Sequence, residues 1–406
     1  MSEGTTRRRL LMRWLRLLAL VAVVLLLARM VHWHDRIDVP DGSVLEGRIT
    51  RWAEDGARIE TLDGPAVDVS VAPDASGRRP RVAYGLASTM RRLGEHPGQI
   101  AAVALVLALL VAMTAWRWHA LVVALGLRLG RWRALGLTWI GGFFNLAVPG
   151  STGGDVVKAW YAAKDTGAGP RAVLTVFVDR VIGLVGLVLL AALVLAVQPA
   201  GDGQSAARRV VLISGVAMLV MGIVFMVRPL RRRLGLAKLV GRLPFQHVIA
   251  ELRAGLALYR RRPLALAGAL GISLVNHAGS ALAVAALADA LDIQGATPAA
   301  CLAAVPLANL LSAIPLAPGG WGVGEWAFAT FLAPHGVAAT EAVTLSIVYR
   351  FMTLAANAPG GLLWASWRTP IDPDDIRADV EAAALEAAHD VEAHATQEDP
   401  SDAERR

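Results

Sequence analysis

Two arginines lie inside apolar segments of the chain, each at the same distance from an acid. Arg180 follows Asp155 by 25 residues, and Arg350 follows Glu325 by the same interval. A charge near the centre of a bilayer costs several kcal/mol unless it is paired or wetted. We therefore expect each arginine to face its acid. A guanidinium group also binds phosphate oxygens in a planar, bidentate geometry, so the same residues are suited to holding a phosphate group.

Each acid ends a short run of Pro, Gly and other small residues that interrupts an apolar stretch. The break residues are Pro149, Gly150 and Gly154 in the first run and Pro318, Gly319, Gly320 and Gly324 in the second. Irregular backbone at membrane depth persists only where it is buried in protein or lines a water-filled cavity. The N-terminus of a broken helix also offers N–H donors to an anion. The pattern predicts a polar cavity between the two breaks.

The candidate substrate-binding residues are the charged and polar side chains of these segments. They are Arg180, Arg350 and Lys158, which would hold the phosphate, Asp155, Asp179 and Glu325, which would orient these bases, and the polar residues Asn145, Asn276 and His277. A structural interpretation stays open: the charges would then be ion-pair locks, and the amides would bond helix to helix. Trp116-Arg117-Trp118-His119 is interpreted as an interfacial anchor. We expect no catalytic residue and no metal ligand.

The composition indicates that lipid surrounds these segments. Of the 406 residues, 55% are hydrophobic and 18% are charged, and the mean hydropathy is +0.50; soluble domains carry roughly 25% charged residues. The net charge of +7 does not predict nucleic-acid binding, because the charge is concentrated in a basic loop, 228–262, and offset by an acidic tail. The lone Cys301 excludes an internal disulfide and a multi-cysteine metal site. No cofactor is expected.

Apolar stretches predict the membrane segments: 98–118, 134–168, 172–198, 209–228, 264–290, 298–334 and 341–367. Two of them, 134–168 and 298–334, exceed the roughly 20 residues of one spanning helix. The basic loop places its own residues in the cytoplasm. Counting crossings back from that loop makes 134–168 a hairpin that returns to the side it left. If 298–334 is also a hairpin, 341–367 returns inward. The two halves then have opposite orientations, as in the inverted repeats of many transporters.

The residues around the two breaks resemble the lysylphosphatidylglycerol synthase transmembrane family, whose membrane domain is flippase-like. The resembling stretches are Asn145–Tyr161 with Val178–Arg180, and Pro315–Glu325 with Tyr349-Arg350. In this comparison Asp155 replaces a Glu and Lys158 replaces an Arg, which keeps the charge and shortens the reach. The resemblance covers roughly 98–367 and implies a domain that moves a lipid between leaflets. It does not carry over the synthase activity, because neither the 32–96 insert nor the tail can hold an aminoacyl-transferase domain.

The predicted fold class is therefore an all-α polytopic membrane protein with an inverted repeat, two broken, re-entrant hairpins and a small extracytoplasmic β insert. The β insert is expected to contain strands over Val44–Arg51 and Val67–Val71 and a basic amphipathic stretch over Arg81–Arg92. The predicted domains are a basic segment with a membrane anchor over 1–31, the β module over 32–96, the flippase-like domain over 97–367 and an acidic cytoplasmic tail over 368–406. Cleavage of the first segment as a signal peptide stays open.

The predicted function is transport of a phospholipid or polyprenyl-linked lipid across a bacterial-type cytoplasmic membrane, without enzymatic activity and with both termini in the cytoplasm. The alternatives are a membrane enzyme or assembly factor that acts on a lipid-linked substrate, and a scaffold that transports nothing. The expected partners are membrane lipids with an anionic or phosphate-bearing headgroup, and no nucleic acid. Homo-oligomer formation and a protein partner for the insert or the tail stay open.

Overall fold

The computed structural model describes residues 34–39, 43–53, 56–62, 64–70, 81–83, 85–147, 153–197, 205–226, 254–313 and 322–366. Several predictions concern residues outside these ranges and are not addressed by the structure. They concern the N-terminal anchor, the basic loop, the acidic tail and the break residues Pro149, Gly150, Pro318, Gly319 and Gly320.

A five-stranded antiparallel sheet precedes the helices, with the strand order β4-β3-β2-β1-β5. The strands are β1 Asp35–Asp38, β2 Val44–Ala53, β3 Gly56–Thr61, β4 Ala66–Val69 and β5 Arg81–Ala83. Ile37, Ile49 and Ile59 pack together on its buried face. The two predicted strands are confirmed as β2 and β4. The predicted basic amphipathic stretch Arg81–Arg92 contains β5, which pairs with β1 with Val82 opposite Ile37, and the first part of the helix that begins at Leu86.

Asp35 connects the sheet to the helix that follows it. Its buried carboxylate accepts hydrogen bonds from the backbone N–H of Ile49 (2.9 Å), the backbone N–H of Gly85 (2.8 Å) and the hydroxyl of Ser88 (2.8 Å). Buried acids require this degree of pairing, since an unpaired charge costs far more than a hydrogen bond returns. Asp35 therefore has a structural role at the junction between β1, β2 and the first helix.

Replacing Asp35 by Ala should destabilise the sheet by about 3 kcal/mol, because each buried donor that loses its partner costs roughly 1–3 kcal/mol. Pulse proteolysis of the purified protein in increasing urea measures the effect through cleavage within residues 34–83. The control is Asp68→Ala, since Asp68 is exposed and lies 3.9 Å from Arg58; its effect should stay within about 0.5 kcal/mol. Equal protease resistance of the two variants would contradict the assigned role.

Ten α-helices follow in the described part of the chain. They are α1 Leu86–Glu95, α2 Pro97–Ala124, α3 Arg131–Ala147, α4 Gly153–Thr166, α5 Gly169–Val197, α6 Ser205–Met226, α7 Pro263–Ala290, α8 Pro298–Ser312, α9 Val323–Leu332 and α10 Ala339–Ser366. Proline stands at the start of α2, α7 and α8, where its fixed φ suits the first turn and its missing N–H is not needed. Residues 254–260 are also helical, and Ala333–His335 form a 3-10 turn between α9 and α10.

Three of these helices are long and apolar enough to cross a membrane: α2, α5 and α7. Each of the two overlong stretches of the sequence contains two helices, as predicted: α3 and α4 in 134–168, and α8 and α9 in 298–334. The helices of each pair pack against each other. The Pro- and Gly-rich runs fall between them.

The last described helix brings the second half of the chain onto the first helix pair, because α10 packs along α3. Close approach is possible since Gly360 faces the backbone of Trp139, where any Cβ would overlap the Trp139 carbonyl group. In the same way, a Cβ on Gly154 would overlap the carbonyl oxygen of Gly141, so α3 and α4 also pack backbone to backbone. Small residues thus place the charged residues of α4, α5 and α10 within one helical unit.

Polar contacts attach α1 and the start of α2 to the end of α7. Arg92 donates to the carbonyl oxygen of Leu291 at 2.8 Å and to the carboxylate of Asp292 at 2.6 Å. Gln99 donates to the carbonyl oxygen of Ala286 and to Asp289. The N-terminus of α2 and the C-terminus of α7 therefore lie on the same side of the helical unit as the sheet.

Candidate functional site

A buried acid on α5, Asp179, lies between two cations from other helices. Its Oδ1 accepts a hydrogen bond from Nε of Arg117 on α2 at 2.8 Å, and its Oδ2 lies 3.8 Å from Nζ of Lys158 on α4. All three residues are at most 6% exposed. These three residues join α2, α4 and α5 by charge inside an apolar core. Together with Asp155 and Arg180, they are called the first centre.

The ammonium group of Lys158, besides its 3.8 Å approach to Asp179, lies over an aromatic ring. Its Nζ is 3.9 Å from the ring centroid of Trp118, and the Trp118 indole is fixed by a 3.0 Å hydrogen bond from Nε1 to the Thr175 hydroxyl. A cation over a Trp face is attracted by the ring quadrupole. Within the part of the chain that the structure describes, Lys158 donates no hydrogen bond. A buried ammonium with three donors therefore retains capacity to bind an oxygen ligand.

Asp155 and Arg180 form the outer part of the first centre. Nη2 of Arg180 donates to Oδ1 of Asp155 at 2.5 Å, and the Arg180 side chain is 53% exposed whereas that of Asp155 is 19% exposed. Asp155 precedes Lys158 by one helical turn, so both project from one face of α4. Lys158 accordingly interacts electrostatically with Asp155 and Arg180 as well as with Asp179 and Arg117. The centre contains one more cation than acids.

The second centre is the pair formed by Glu325 on α9 and Arg350 on α10. Glu325 is fully buried; its Oε1 accepts from Nε of Arg350 at 3.0 Å, and its Oε2 accepts from the backbone N–H of Gly322 at 2.6 Å. The acid lies in the first turn of α9 and caps the N-terminus of that helix. Gly324 leaves space for the arginine, since a Cβ there would collide with Nη2 of Arg350 and the hydroxyl of Ser312. The charges of Glu325 and Arg350, which form the second centre, balance each other.

The expected pairing of each break acid with the arginine 25 residues later is confirmed in both centres. Asp179 has a partner that the sequence analysis missed. The interpretation of Trp116-Arg117-Trp118-His119 as an interfacial anchor is wrong for Arg117 and Trp118, which are buried inside the helical unit. The error arose because the apolar stretch was taken to end at residue 118, whereas α2 continues to Ala124. Spacing gave no signal for this pair, because the two residues lie 62 positions apart.

The three uncharged candidate residues contact neighbouring helices. Asn145 accepts a 2.9 Å hydrogen bond from the backbone N–H of Gly154, so it joins α3 to the first turn of α4. Asn276 donates to the carbonyl oxygen of Leu110 at 2.7 Å and also to the hydroxyl of Thr114. Nε2 of His277 lies 3.0 Å from the carbonyl oxygen of Gly183. Asn276 and His277 thus connect α7 to α2 and α5, which is the helix-to-helix role that the sequence left open.

Long apolar helices, two helix pairs separated at Pro- and Gly-rich runs, and paired charges within apolar packing together define a multi-pass membrane protein. The family described as the lysylphosphatidylglycerol synthase TM region matches residues 83–361, and the chain belongs to this family. The match includes every residue of both centres. No curated protein and no solved structure matches the chain.

Proposed function

We propose that this protein is a flippase-like lipid transporter that moves a phospholipid or polyprenyl-linked lipid between leaflets. The proposal rests on the capacity of the cations in the first centre to donate further hydrogen bonds. Lys158 donates no hydrogen bond to the residues that the structure describes, and the guanidinium of Arg180 is half exposed while it contacts Asp155. A phosphate group supplies the oxygen acceptors that these donors lack.

The surroundings of the first centre favour an anion as the cargo. A structural ion-pair lock is expected to balance its charges, because an excess buried charge costs several kcal/mol. Among the residues that the structure describes, Arg117, Lys158 and Arg180 pair with two acids, Asp155 and Asp179. The N-terminus of α4, which begins at Gly153, lies beside these cations and adds a positive helix end.

Transport also requires that the site open to both leaflets, and the order of the helices supports such a path. A long helix, a broken pair and another long helix occur twice, as α2, α3, α4 and α5 and again as α7, α8, α9 and α10. The start of α2 and the end of α7 lie on one side, so these helices run in opposite directions. We interpret this order as an inverted repeat with two re-entrant hairpins, in which Asp155, Asp179 and Glu325 exchange partners as Arg180, Lys158 and Arg350 bind and release the headgroup.

The topology assigned from the basic loop places the sheet outside and both termini in the cytoplasm of a bacterial-type cytoplasmic membrane. In this proposal the protein performs no chemical conversion, and its partners are membrane lipids. The lipid-linked enzyme and the inert scaffold remain the competing functions. An enzyme would convert an added lipid chemically, and a scaffold would leave the leaflet distribution unchanged.

A leaflet-exchange assay tests the proposal. The purified protein is reconstituted into phosphatidylcholine vesicles that contain fluorescent phosphatidylglycerol, and dithionite bleaching of the outer leaflet reports the exchange rate. Arg180→Ala and Arg350→Ala should each slow exchange about 10- to 100-fold, which corresponds to the roughly 1.5–3 kcal/mol of a hydrogen bond to a charged group.

The matched control is Arg133→Ala. Arg133 also pairs with an acid of α4, since its Nε lies 2.6 Å from Oδ2 of Asp165. Its loss removes an Arg–Asp contact of the same kind outside both centres, so exchange should change less than about twofold. Unchanged exchange in both Arg180→Ala and Arg350→Ala, with folding retained, would refute the transport proposal.

A further inference from the structure

The two centres differ in charge although their acids and arginines have the same spacing. The second centre contains one acid and one arginine, and its carboxylate is saturated by Arg350 and by the backbone N–H of Gly322. The first centre contains the equivalent pair, Asp155 and Arg180, and in addition Asp179 with two cations. The difference between the centres therefore lies in Arg117, Lys158 and Asp179.

Arg117 and Lys158 face the same carboxylate at unequal distances. Arg117 is within hydrogen-bond distance of Asp179 at 2.8 Å, whereas the ammonium of Lys158 is 3.8 Å away, beyond the range of a hydrogen bond. The centroid of the Trp118 ring lies 3.9 Å from this ammonium, and the ring accepts no conventional hydrogen bond. Asp179 is already the acid nearest to the ammonium of Lys158. Without Arg117 to occupy this carboxylate, Lys158 and Asp179 would form a close ion pair and neutralise each other.

We propose that Arg117 is a positioning residue: it engages Asp179 so that Lys158 remains free to bind an anionic lipid headgroup. This inference rests on the proposed function, since it assigns the headgroup to the first centre. Arg117 is itself buried and acts through the carboxylate rather than on the ligand. The consequence is that binding depends on the summed charge of Arg117 and Asp179 rather than on the presence of either residue alone.

Two variants test this dependence. In Arg117→Gln, Asp179 loses its partner and draws Lys158 into a close ion pair, so the affinity for phosphatidylglycerol should fall about tenfold. In the double variant Arg117→Gln/Asp179→Asn, the freed acid is also neutral, Lys158 is available again, and the affinity should return to within about threefold of the original protein. A merely structural Arg117 would lower the melting temperature of the single variant and leave its lipid affinity unchanged.

The affinity is measured on the full chain in neutral maltoside micelles, by native mass spectrometry with phosphatidylglycerol as the probe and diacylglycerol as the phosphate-free control. Loss of affinity in the single variant and recovery in the double variant supports the role of Arg117. If the single variant does not fold, weak binding by the folded double variant still overturns it. Equal affinity of all three proteins, or no preference of the original protein for phosphatidylglycerol, also overturns it.

The leaflet-exchange assay separates this inference from the transport proposal. In one outcome the protein prefers phosphatidylglycerol, and its affinity is lost and recovered in the two variants as predicted, but the original protein exchanges no lipid. This outcome would refute transport and leave the role of Arg117 standing. Exchange by the original protein that depends on Arg180, together with a phosphatidylglycerol affinity that is not recovered in the double variant, would refute the role of Arg117 and leave transport standing.

Discussion

Replacing Glu325 by Ala should destabilise the helical unit by about 3–5 kcal/mol, which is the typical cost of removing one partner from a buried ion pair. The carboxylate is fully buried and has two partners, the guanidinium of Arg350 and the backbone N–H of Gly322. Its loss leaves Arg350, whose side chain is only 17% exposed, without its acid partner. Equilibrium unfolding of the purified protein in micelles, followed by far-UV circular dichroism, measures the change.

The sequence provides a matched comparison, because Asp155 has the same interval to its arginine. The Asp155 pair has an exposed guanidinium, 53% accessible, so solvent screens it and Asp155→Ala should cost only about 0–1 kcal/mol. The destabilisation by Glu325→Gln should lie between these two values, because the amide oxygen still accepts a hydrogen bond although the charge is lost. Equal destabilisation by Asp155→Ala and Glu325→Ala would show that burial does not separate the two pairs.

The positions of the helices and the two charge pairs were predictable from the sequence because each depends on a local rule. A charge at membrane depth needs a partner, and the repeated interval of 25 residues identified that partner for Arg180 and Arg350. An apolar stretch too long for one spanning helix predicted the breaks before Asp155 and Glu325. These inferences required only spacing and hydrophobicity along the chain.

The partner of Asp179 was not predictable in this way, because it depends on how helices distant in sequence pack. Arg117 precedes Asp179 by 62 residues, and nothing in the spacing connects them. The position of Arg117 near a Trp-rich helix end made an interfacial role the simpler interpretation. The strand β5 was missed for a similar reason, since three residues form a strand only because β1 lies beside them. In both cases tertiary packing overrides the local pattern.

Replacing Lys158 by Met should abolish most lipid exchange without destabilising the protein. Methionine keeps most of the length of the side chain and its packing against Trp118, but it removes the charged ammonium group. An ion-pair lock and a binding residue respond in opposite ways to this change. Removing a partner from a lock destabilises the fold. Removing a buried cation that donates no hydrogen bond to the described residues abolishes a desolvation cost, while Asp179 keeps its 2.8 Å hydrogen bond from Arg117. We therefore expect equal or higher thermal stability and about 10- to 100-fold slower exchange of phosphatidylglycerol.

The control is Lys164→Met on the same helix. Nζ of Lys164 also lies over an indole ring, 4.0 Å from the centroid of Trp160, but the residue is exposed and outside both centres. Its replacement removes a lysine–tryptophan contact of the same geometry, so any general effect of losing such a contact on α4 appears in both variants. Slower exchange restricted to Lys158→Met, together with unchanged stability, assigns the ammonium to the ligand. If Lys158→Met loses exchange only because the protein is less stable, Lys158 belongs instead to an ion-pair lock. A lock stabilises the protein even when no lipid is bound, whereas a binding residue does not.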